Sequence, residues 1–386
     1  MKIVHVITRM ILGGAQENTL LTCEGLHARG HEVTLITGPA IGPEGELLSR
    51  ARAGGYRVIV VEAMRREINP WRDWLAGRCL ARRLRELAPD VVHTHSSKAG
   101  ILARHAAVGL RRRMPNLKIV HTIHGLPFHP HEEWWKNRLY VYLERRAARR
   151  THAIVSVADA MTRQALAAGV GRAEQFVTLY SGMEIEPFLN APPGVAEFRE
   201  SLGLRAGDLL VTQVSRLAEL KGHEFILAAA RHIADPRIHF CFVGDGARRG
   251  WIERVVAEAG LVERVHLTGL LPPQQIPLVM HASDIVIHCS LREGLARALP
   301  QAMLAGAPVV SFDVDGAREV VREDTGILLS PGDVAGLKAA IEKLAGSPDL
   351  RRRMAQAGRK LAAERFDHRV MLEKIEQLYR RLEVRG

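Results

Sequence analysis

Short apolar runs alternate with longer stretches of helical period through the first half of the chain. The apolar runs are rich in β-branched residues, as in KIVHVIT and KIVHTIH, and lie at 2–8, 32–37, 56–62, 91–96, 118–124, 153–158 and 176–181. The stretches between them, such as 71–88, are predicted to be helices. Strand-like runs separated by helices indicate βαβ units and a parallel sheet with helices on its faces.

The same pattern restarts after a stretch rich in proline and glycine. That stretch, NAPPGV at 190–195, is typical of a linker. Strand-like runs resume at 209–215, 239–244, 265–269, 285–290, 308–312 and 326–330, and the tail from about 347 to 385 is helical and basic. We predict an α/β protein with two tandem, doubly wound, Rossmann-like domains at 1–190 and 191–366 and a final helix over 367–386. Ligands of open parallel sheets bind beyond the carboxyl ends of the strands, so a cleft between the domains is the expected site.

Length and charge narrow the classes of function. A chain of 386 residues fits two domains. The net charge of +12 is compatible with nucleic acid, anionic lipid or phosphorylated small molecules as partners. The arginines are dispersed along predicted helices, and no RNA-binding aromatic motif or zinc finger accompanies them. We therefore expect no nucleic-acid partner and rank a membrane surface above it.

Cysteine usage and hydropathy bear on the compartment. The four cysteines (Cys23, Cys79, Cys241 and Cys289) are scattered and form no CxxC pair, which predicts neither a disulfide framework nor a zinc site. This fits a reducing, cytoplasmic compartment. The first residues lack the long apolar core of a signal peptide, and no run of 18 apolar residues suggests a membrane-spanning helix.

Two glycines follow the first predicted strand. Gly13 and Gly14 are expected to let the backbone turn sharply and to bring N–H groups of a helix N-terminus near an anion, for which a phosphate is the natural candidate. A tight turn without a ligand is the alternative. The motif is not GxGxxG, and no acid follows the second strand where a nicotinamide ribose needs one, so a dinucleotide is disfavoured.

Polar residues also follow the fourth and fifth predicted strands. Ser96, Ser97 and Lys98 open a helix, and His124 is expected to be the last residue of its strand, where it can hydrogen-bond a sugar hydroxyl. A structural histidine is the alternative. A metal site was also weighed, but the spacing of the neighbouring histidines matches no HExxH-type pattern. Those neighbours are His121, His129 and His131.

Two cations flank the loop after the first strand of the second domain. Arg216 stands at the strand end and Lys221 just before the next helix. Two cations directed at one point would neutralise a diphosphate and stabilise it as a leaving group. Surface residues without a ligand are the alternative for such a basic pair.

The stretch EGLARALPQAML, from Glu293 to Leu304, opens a helix around a proline. Proline is tolerated in the first turn, so Pro300 predicts a helix that starts close to 296–297 and that Gly306 ends. The N–H groups at the start of this helix would form an anion site; they belong to Gly294, Leu295, Ala296 and Arg297. Glu293, beside this site, can accept hydrogen bonds from sugar hydroxyls. Gln301, one to two turns further, can hydrogen-bond a ribose diol.

Together these motifs resemble a known family over essentially the whole chain. The motifs are GGAQ, HTHSSKAG, HTIHG, SRLAELKG, FVGDG and EGLARALPQAMLAGAPVV, in this order. The chain resembles a retaining glycosyltransferase of family 4, also called the group 1 glycosyltransferases, and in particular the bacterial enzymes of capsule, exopolysaccharide and lipopolysaccharide synthesis. The resemblance implies the GT-B fold, with an acceptor-side N-terminal domain, a nucleotide-sugar-binding C-terminal domain and a last helix that packs back on the first domain.

The resemblance also implies residue roles. Arg216 and Lys221 match the pair that holds the donor diphosphate, and Glu293 matches the first acid of the E-x7-E motif, which contacts the donor sugar. Gly13 and Gly14 match the loop that closes on the phosphates, and Leu270 and Leu271 match the backbone that meets the base. His124 matches the histidine near the reacting centre. Ser96, Ser97 and Lys98 match residues on the acceptor side. Gln301 departs from the family, which usually has a second acid there.

The resemblance further implies a reaction without a metal or another cofactor. FDVDG at 312–316 contains a DxD-like string, to which we give no metal-binding role. The expected reaction moves a hexose-type sugar from a nucleoside-diphosphate sugar, most often a UDP-sugar, to a hydroxyl of a glycan or a lipid-linked acceptor. Retention is explained by attack on the face that the diphosphate leaves, with no protein nucleophile.

Three alternative functions remain open. They are a sugar-nucleotide epimerase of the same fold, a nicotinamide oxidoreductase and a non-catalytic nucleotide-sugar-binding protein.

The segment 132–150, EEWWKNRLYVYLERRAARR, is aromatic at its start and basic afterwards. It predicts peripheral contact with anionic lipid at the inner face of the cytoplasmic membrane; packing of the aromatic residues on the sheet is the alternative.

Overall fold

The chain forms two compact units. A computed structural model describes residues 1–41 and 45–384. One unit comprises Met1–Met183 with His368–Gly386, and the other comprises Glu184–Asp367. The last two residues of the predicted tail lie outside the described residues.

Thirteen strands are found among the described residues. They are β1 (Lys2–Arg9), β2 (Glu32–Gly38), β3 (Arg57–Val60), β4 (Val91–His95), β5 (Lys118–Ile123), β6 (Ala153–Ser156), β7 (Phe176–Thr178), β8 (Leu209–Val214), β9 (Ile238–Val243), β10 (Val265–Gly269), β11 (Ile285–His288), β12 (Val309–Phe312) and β13 (Gly326–Leu329). Every strand-like run predicted from the sequence corresponds to one of them, with ends that differ by at most three residues.

Helices connect most of these strands. They are α1 (Gly14–Ala28), α2 (Leu48–Ala53), α3 (Pro70–Leu87), α4 (Ser97–Leu110), α5 (Trp134–Ala148), α6 (Asp159–Ala167), α7 (Glu186–Leu189), α8 (Val195–Ser201), α9 (His223–Arg231), α10 (Arg249–Glu258), α11 (Ile276–Ala282), α12 (Ala298–Ala305), α13 (Ala317–Val320), α14 (Val334–Ala345), α15 (Pro348–Arg365) and α16 (His368–Val384). In the part of the chain that the structure describes, no helix is both long and apolar enough to cross a bilayer.

Both sheets are parallel and doubly wound, as the sequence predicts. The first has the order β3-β2-β1-β4-β5-β6-β7 and the second the order β10-β9-β8-β11-β12-β13. The chain order reverses between β1 and β4 in the first sheet and between β8 and β11 in the second. Ligands of such sheets bind in the crevice beyond these reversal points. The loops that follow these four strands carry most of the candidate residues.

The unit boundaries differ slightly from the predicted domain boundaries of 190 and 366. The chain enters the second unit at Glu184, before the proline- and glycine-rich stretch, because α7 packs against α11 and α12 of that unit. At the other end, α15 stays in the second unit, where it packs on α12 and α14. The two tail helices are separated at Phe366 and Asp367, and the N–H of His368 donates to the carbonyl of Met183 at 3.0 Å.

The last helix belongs to the core of the first unit. Apolar residues of α16 are buried among residues of β1, β2 and α1, with Leu372, Ile375 and Tyr379 each at most 5% exposed. A second core on the opposite face of the same sheet joins α3 and α4 to β1 and β4. Burial on both faces explains why these strands are apolar runs and not alternating ones.

Candidate active site

Lys221 lies at the end of the loop that follows β8. The next residue, Gly222, precedes α9 with a φ of 75°, in the left-handed region. A Cβ at this position would lie 1.9 Å from the carbonyl oxygen of Cys289, the residue directly after β11. Only glycine fits both the conformation and the contact. The close approach therefore brings Lys221 beside the residues that follow β11.

The ammonium group of Lys221 forms an ion pair with a carboxylate. Lys221 Nζ donates to Glu293 Oε1, and His288 Nε2 lies 3.1 Å from the same oxygen. Burial alone would raise the pKa of Glu293, but the charge of Lys221 and the hydrogen bonds from His288 and Lys221 outweigh it and hold that pKa well below its usual range. Glu293 is therefore an anion at neutral pH, and its side chain is 19% exposed.

Asp315 positions the backbone of Glu293. The N–H of Glu293 donates to Asp315 Oδ2 at 2.6 Å. Asp315 itself has a φ of 48°, a conformation that aspartate adopts more readily than most residues. The string FDVDG, which contains Asp315, has no predicted role from the sequence, and neither does His288. An acid three residues after a strand, at the carboxyl edge of the sheet, was the available signal for Asp315.

The helix α12 begins close to its predicted start. It runs from Ala298, one to two residues beyond 296–297, and ends at Gly306, whose φ is 86°. Pro300 is its third residue, where an N–H would have no intrahelical acceptor in any case. Gly294, Leu295 and Ala296 are buried in the preceding loop, and Gln301 is half-buried in the first turn of the helix. The predicted anion site therefore lies in the loop beside Glu293.

Arg216 lies in the loop between β8 and Lys221 and is exposed. Gly244, after β9, packs against this loop with a φ of 137°, and a Cβ there would lie 2.1 Å from the carbonyl oxygen of Ser215. The N–H of Gly244 donates to Gly269 at the end of β10. Leu270, which follows, is exposed, whereas Leu271 is partly buried against the core. The second-unit candidates thus lie at one edge of one sheet.

The backbone of Gly13 differs from the expectation. Gly13 is extended, with φ 170° and ψ 156°, and α1 begins at Gly14. An extended conformation is open to any residue, so the backbone at Gly13 does not itself require glycine. Both glycines are exposed at the helix start.

A cavity of about 250 Å³ lies at the carboxyl edge of the first sheet, and Ser96, Ser97 and His124 are among the residues that line it. Ser96 has a φ of 60°, and its Oγ hydrogen-bonds Thr8 Oγ1 at 2.7 Å. Strained non-glycine residues are often found at functional sites. Lys98 is not among the lining residues, because its Nζ pairs with Asp73 Oδ1 at 2.6 Å, at the start of α3.

His124 follows β5, which ends at Ile123, so it lies one residue beyond the predicted strand position. Its Nε2 is 3.0 Å from Nδ1 of His95, and His95 Nε2 is 3.0 Å from Nδ1 of His5. Neither partner of His124 was predicted from the sequence. A signal existed, because His93 and His95 are two residues apart on β4 and therefore face the same side of the sheet.

One histidine group has nitrogen atoms close enough to consider a metal ion. Nitrogen atoms of His5, His93 and His95 lie within 4.8 Å of one another, and all three side chains are buried. Within residues 1–41 and 45–384, no such group is formed by the histidines that the sequence suggested as possible metal ligands, namely His121, His124, His129 and His131. His121 hydrogen-bonds Thr94 Oγ1 at 2.9 Å instead.

Gly222 offers a direct test of the loop geometry. We expect Gly222→Ala to lower the unfolding temperature of the second unit by roughly 5 °C or more, because the new Cβ meets a backbone carbonyl and the left-handed φ disfavours alanine. Calorimetry would measure this. Gly250→Ala is the matched control, since no atom lies within 4 Å of a Cβ on that residue of α10. It should leave the temperature unchanged or raise it, and an equal fall in both variants would contradict the account.

Comparison with known proteins places this chain in a family. Residues 13–182 match the model of the glycosyl transferase 4-like domain, and residues 195–361 match that of the glycosyl transferases group 1. The 2-deoxystreptamine N-acetyl-D-glucosaminyltransferase of Streptomyces fradiae is 32% identical over 354 residues, which cover 85% of this chain and 82% of that enzyme. The chain belongs to the group 1 glycosyltransferases. The predicted family and enzyme class are confirmed.

Two further relatives of this glycosyltransferase are informative. The 2-deoxystreptamine glucosyltransferase of Streptomyces kanamyceticus is 34% identical over 233 residues, and the match spans 59% of this chain and 60% of that enzyme. The UDP-Gal:alpha-D-GlcNAc-diphosphoundecaprenol alpha-1,3-galactosyltransferase of Escherichia coli is 27% identical over 340 residues, or 86% of this chain and 85% of that enzyme.

Solved structures show the same fold as this glycosyltransferase. Anabaena HepE in complex with UDP-glucose superposes with a TM-score of 0.83 at 24% identity, over 98% of this chain and 99% of that chain. At this identity the likeness concerns the fold alone. With the two doubly wound sheets it confirms the GT-B fold that the sequence predicts.

Proposed function

We propose that this glycosyltransferase moves a hexose-type sugar from a nucleoside-diphosphate sugar to a hydroxyl of a glycan or a lipid-linked acceptor, with retention of the anomeric configuration. One observation carries the proposal: the Lys221–Glu293 pair lies beside the loop of α12, at the reversal point of the second sheet. A cation and a carboxylate fixed side by side suit a ligand that joins a diphosphate to a sugar. A uridine donor is favoured, because the HepE structure holds UDP-glucose.

The second unit supplies donor-binding groups of three kinds. Lys221 and Arg216 neutralise the diphosphate, and the amides from Gly294 to Arg297 add hydrogen bonds. Leu270 and Leu271 flank the base, and Gln301 binds the ribose diol with its amide. Glu293 accepts hydrogen bonds from the sugar hydroxyls. All of these groups lie at the carboxyl edge of one sheet, which is the expected position for a nucleotide.

The charge state of Glu293 argues for a binding role. Its low pKa makes it a weak base, and Lys221 and His288 already occupy one of its oxygens. The proposed reaction therefore uses no protein nucleophile. The bond between the anomeric carbon and the diphosphate breaks, the acceptor oxygen bonds to the same face, and the leaving phosphate takes the acceptor proton. His124 hydrogen-bonds the sugar, and Ser96 and Ser97 contact the acceptor.

The proposal includes independence from metal ions, because the protein's own cations carry the charge that a metal would otherwise balance. We expect sugar transfer to persist in excess EDTA, and we expect the product to keep the α configuration of an α-linked donor. Proton NMR measures both, because the amount of product reports sugar transfer and the anomeric coupling constant reports the configuration. Loss of activity in EDTA that Mg²⁺ restores, an inverted product, or isomerised donor without transfer would each contradict the proposal.

Exposed aromatic residues support a proposed contact with anionic membrane. Trp134 and Trp135 open α5, Trp71 and Trp74 lie in the first turns of α3, and both helices pack on α4. The two helices follow β3 and β5 of one parallel sheet, so both begin on the side of its carboxyl edge. Trp134 is 72% and Trp71 67% exposed. Basic residues continue along α5, namely Arg138 and Arg145, and Arg149 directly follows the helix. Aromatic groups beside basic ones are typical of helices that lie in a membrane interface at the cytoplasmic leaflet.

The membrane surface can be tested with vesicles. We expect Trp134→Ser with Trp135→Ser to lower binding to phosphatidylglycerol vesicles about tenfold or more, because two interfacial aromatic anchors are lost. Vesicle co-sedimentation at low salt measures this. Val262→Ser, at an exposed apolar residue of the second unit, is the control and should bind as the parent does. Equal binding to neutral and anionic vesicles, or none to either, would refute the contact.

A further inference from the structure

Three imidazoles form a continuous row through the first unit. His5 on β1, His95 on β4 and His124 after β5 are joined by two nitrogen–nitrogen contacts of 3.0 Å. β1 pairs with β4, and β4 with β5, so the row crosses three neighbouring strands. His5 and His95 are 0% and 1% exposed, whereas His124 lines the cavity. The row therefore leads from the core to the candidate acceptor side.

The two buried members of the row are neutral. Burial lowers the pKa of His5 to about 3. Burial, together with the neighbouring imidazoles of His93 and His5, holds the pKa of His95 well below its usual range. A neutral imidazole has one N–H and one lone pair, so His95 can donate through only one of its two contacts and must accept through the other.

Only two arrangements of hydrogens satisfy both contacts. In the first, His5 Nδ1–H donates to His95 Nε2, and His95 Nδ1–H donates to His124 Nε2. In the second, both bonds are reversed, and His5 then carries its hydrogen on Nε2. His5 Nε2 is buried and has no hydrogen-bond partner among the described residues. A buried N–H without an acceptor is rare and costly, so the first arrangement is favoured.

We propose that His5 and His95 are positioning residues that hold His124 as its Nδ1–H tautomer. The inference rests on the proposed role of His124 at the sugar. With Nε2 accepting from His95, any contact that Nδ1 makes is as a donor. His124 would then donate to a sugar oxygen and would not act as a base through Nδ1. Protonation of His124 would require both bonds to reverse, which disfavours the imidazolium form.

Hydrogen bonding to His93 separates this account from a metal site. A metal held by His5, His93 and His95 needs a lone pair from each ring. His93 Nδ1 lies 2.5 Å from the Tyr379 hydroxyl, and His93 Nε2 lies 2.6 Å from Thr122 Oγ1. Both His93 nitrogens are therefore already in short hydrogen bonds, and the contacts of His5 and His95 likewise form a hydrogen-bonded row.

The test is the tautomer of His124 in the intact chain. Long-range ¹H–¹⁵N correlation on protein labelled with ¹⁵N-histidine distinguishes protonated from unprotonated ring nitrogens, and His124→Asn identifies the signals of His124. We expect the parent protein to show Nδ1 protonated and Nε2 unprotonated. A protonated Nε2 would overturn the proposal, and so would a stoichiometric metal ion in the purified protein.

Variants of two equally buried histidines, His95 and His93, sharpen the test. His95→Phe should release the tautomer of His124 and lower kcat about tenfold or more, as losses of positioning partners do elsewhere. His95→Asn keeps an N–H near the position of Nδ1 and should restore the parent tautomer. His93→Phe is the control, since His93 stacks on His95 at 4.4 Å without bonding His124. An unchanged tautomer in folded His95→Phe would refute the inference.

The proposal and the proposed function can fail separately. If His124→Asn retains full transferase activity, the role of His124 at the sugar is wrong, yet the tautomer measured in the parent protein still decides whether the row is ordered. If His95→Phe does not fold, the spectrum of the parent protein and of His95→Asn keeps the question answerable.

Discussion

Lys221→Ala is expected to lower kcat for sugar transfer about 10²- to 10³-fold, with a weaker apparent affinity for the donor. The reason is that a fixed cation next to a developing diphosphate charge contributes more in the transition state than in the ground state. Steady-state kinetics with a radiolabelled nucleotide sugar would measure both parameters. In the variant, His288 still contacts Glu293 Oε1 but the Lys221 ammonium group is gone, so the fold should be checked by calorimetry.

Lys338→Ala is the matched control for this variant. Lys338 lies in the same unit and pairs with Glu342 at 2.7 Å on α14, a helix that follows β13 and not β8 or β11. It should keep the kcat of the parent protein, because exposed pairs of this kind contribute little. Full activity in Lys221→Ala would show that the diphosphate is not held where we place it.

Glu293→Gln is expected to lower kcat about 10- to 100-fold while leaving the fold intact. The amide keeps the size of the side chain and can still accept from Lys221, but it lacks the charge that orders Lys221 and the sugar hydroxyls. Kinetics with the same donor would measure the effect. Glu342→Gln, the partner of the control lysine, should change nothing. A variant as active as the parent would remove Glu293 from the site.

The same variant has a predicted pH signature. The pKa of Glu293 is depressed below its ordinary value of 4.5, so its ionisation stabilises the folded state above about pH 4.5, and this stabilisation is lost as the pH falls toward the lower pKa. Glutamine has no such ionisation. The difference in unfolding free energy between the parent protein and Glu293→Gln should therefore shrink below pH 4.5. A constant difference would mean that Glu293 is not held as an anion.

The sequence predicted the sheets well because their signals are local. Buried parallel strands are apolar runs, and the helices between them have a clear period, so the thirteen strands were found with small errors at their ends. Pro300 and Gly306 placed α12 for similar reasons, since proline and glycine restrict the backbone of their own neighbourhood. The candidate residues after β8 and β11 followed from one rule, that parallel strands present their carboxyl ends at one edge.

The missed features depend on contacts between residues distant in the chain. Asp315 accepts from Glu293 across 22 residues, and His5 meets His95 across 90. Lys98 was placed on the acceptor side, yet it pairs with Asp73, because α3 packs on α4. No local pattern encodes such pairs. The extended backbone of Gly13 was missed for another reason, since a glycine pair permits a sharp turn without requiring one.

Binding of nucleotides in the absence of metal tests the central claim most directly. The unfolding temperatures of the parent protein, Lys221→Ala and Lys338→Ala would be measured with UDP, GDP, ADP and NAD in EDTA. A ligand at 100 times its Kd stabilises the native state by about 2.7 kcal/mol, which is a shift of several degrees. We predict such a shift with one nucleoside diphosphate for the parent protein and Lys338→Ala, and a much smaller one for Lys221→Ala. A shift with NAD alone, an equal shift in Lys221→Ala, or none with any nucleotide would contradict the account.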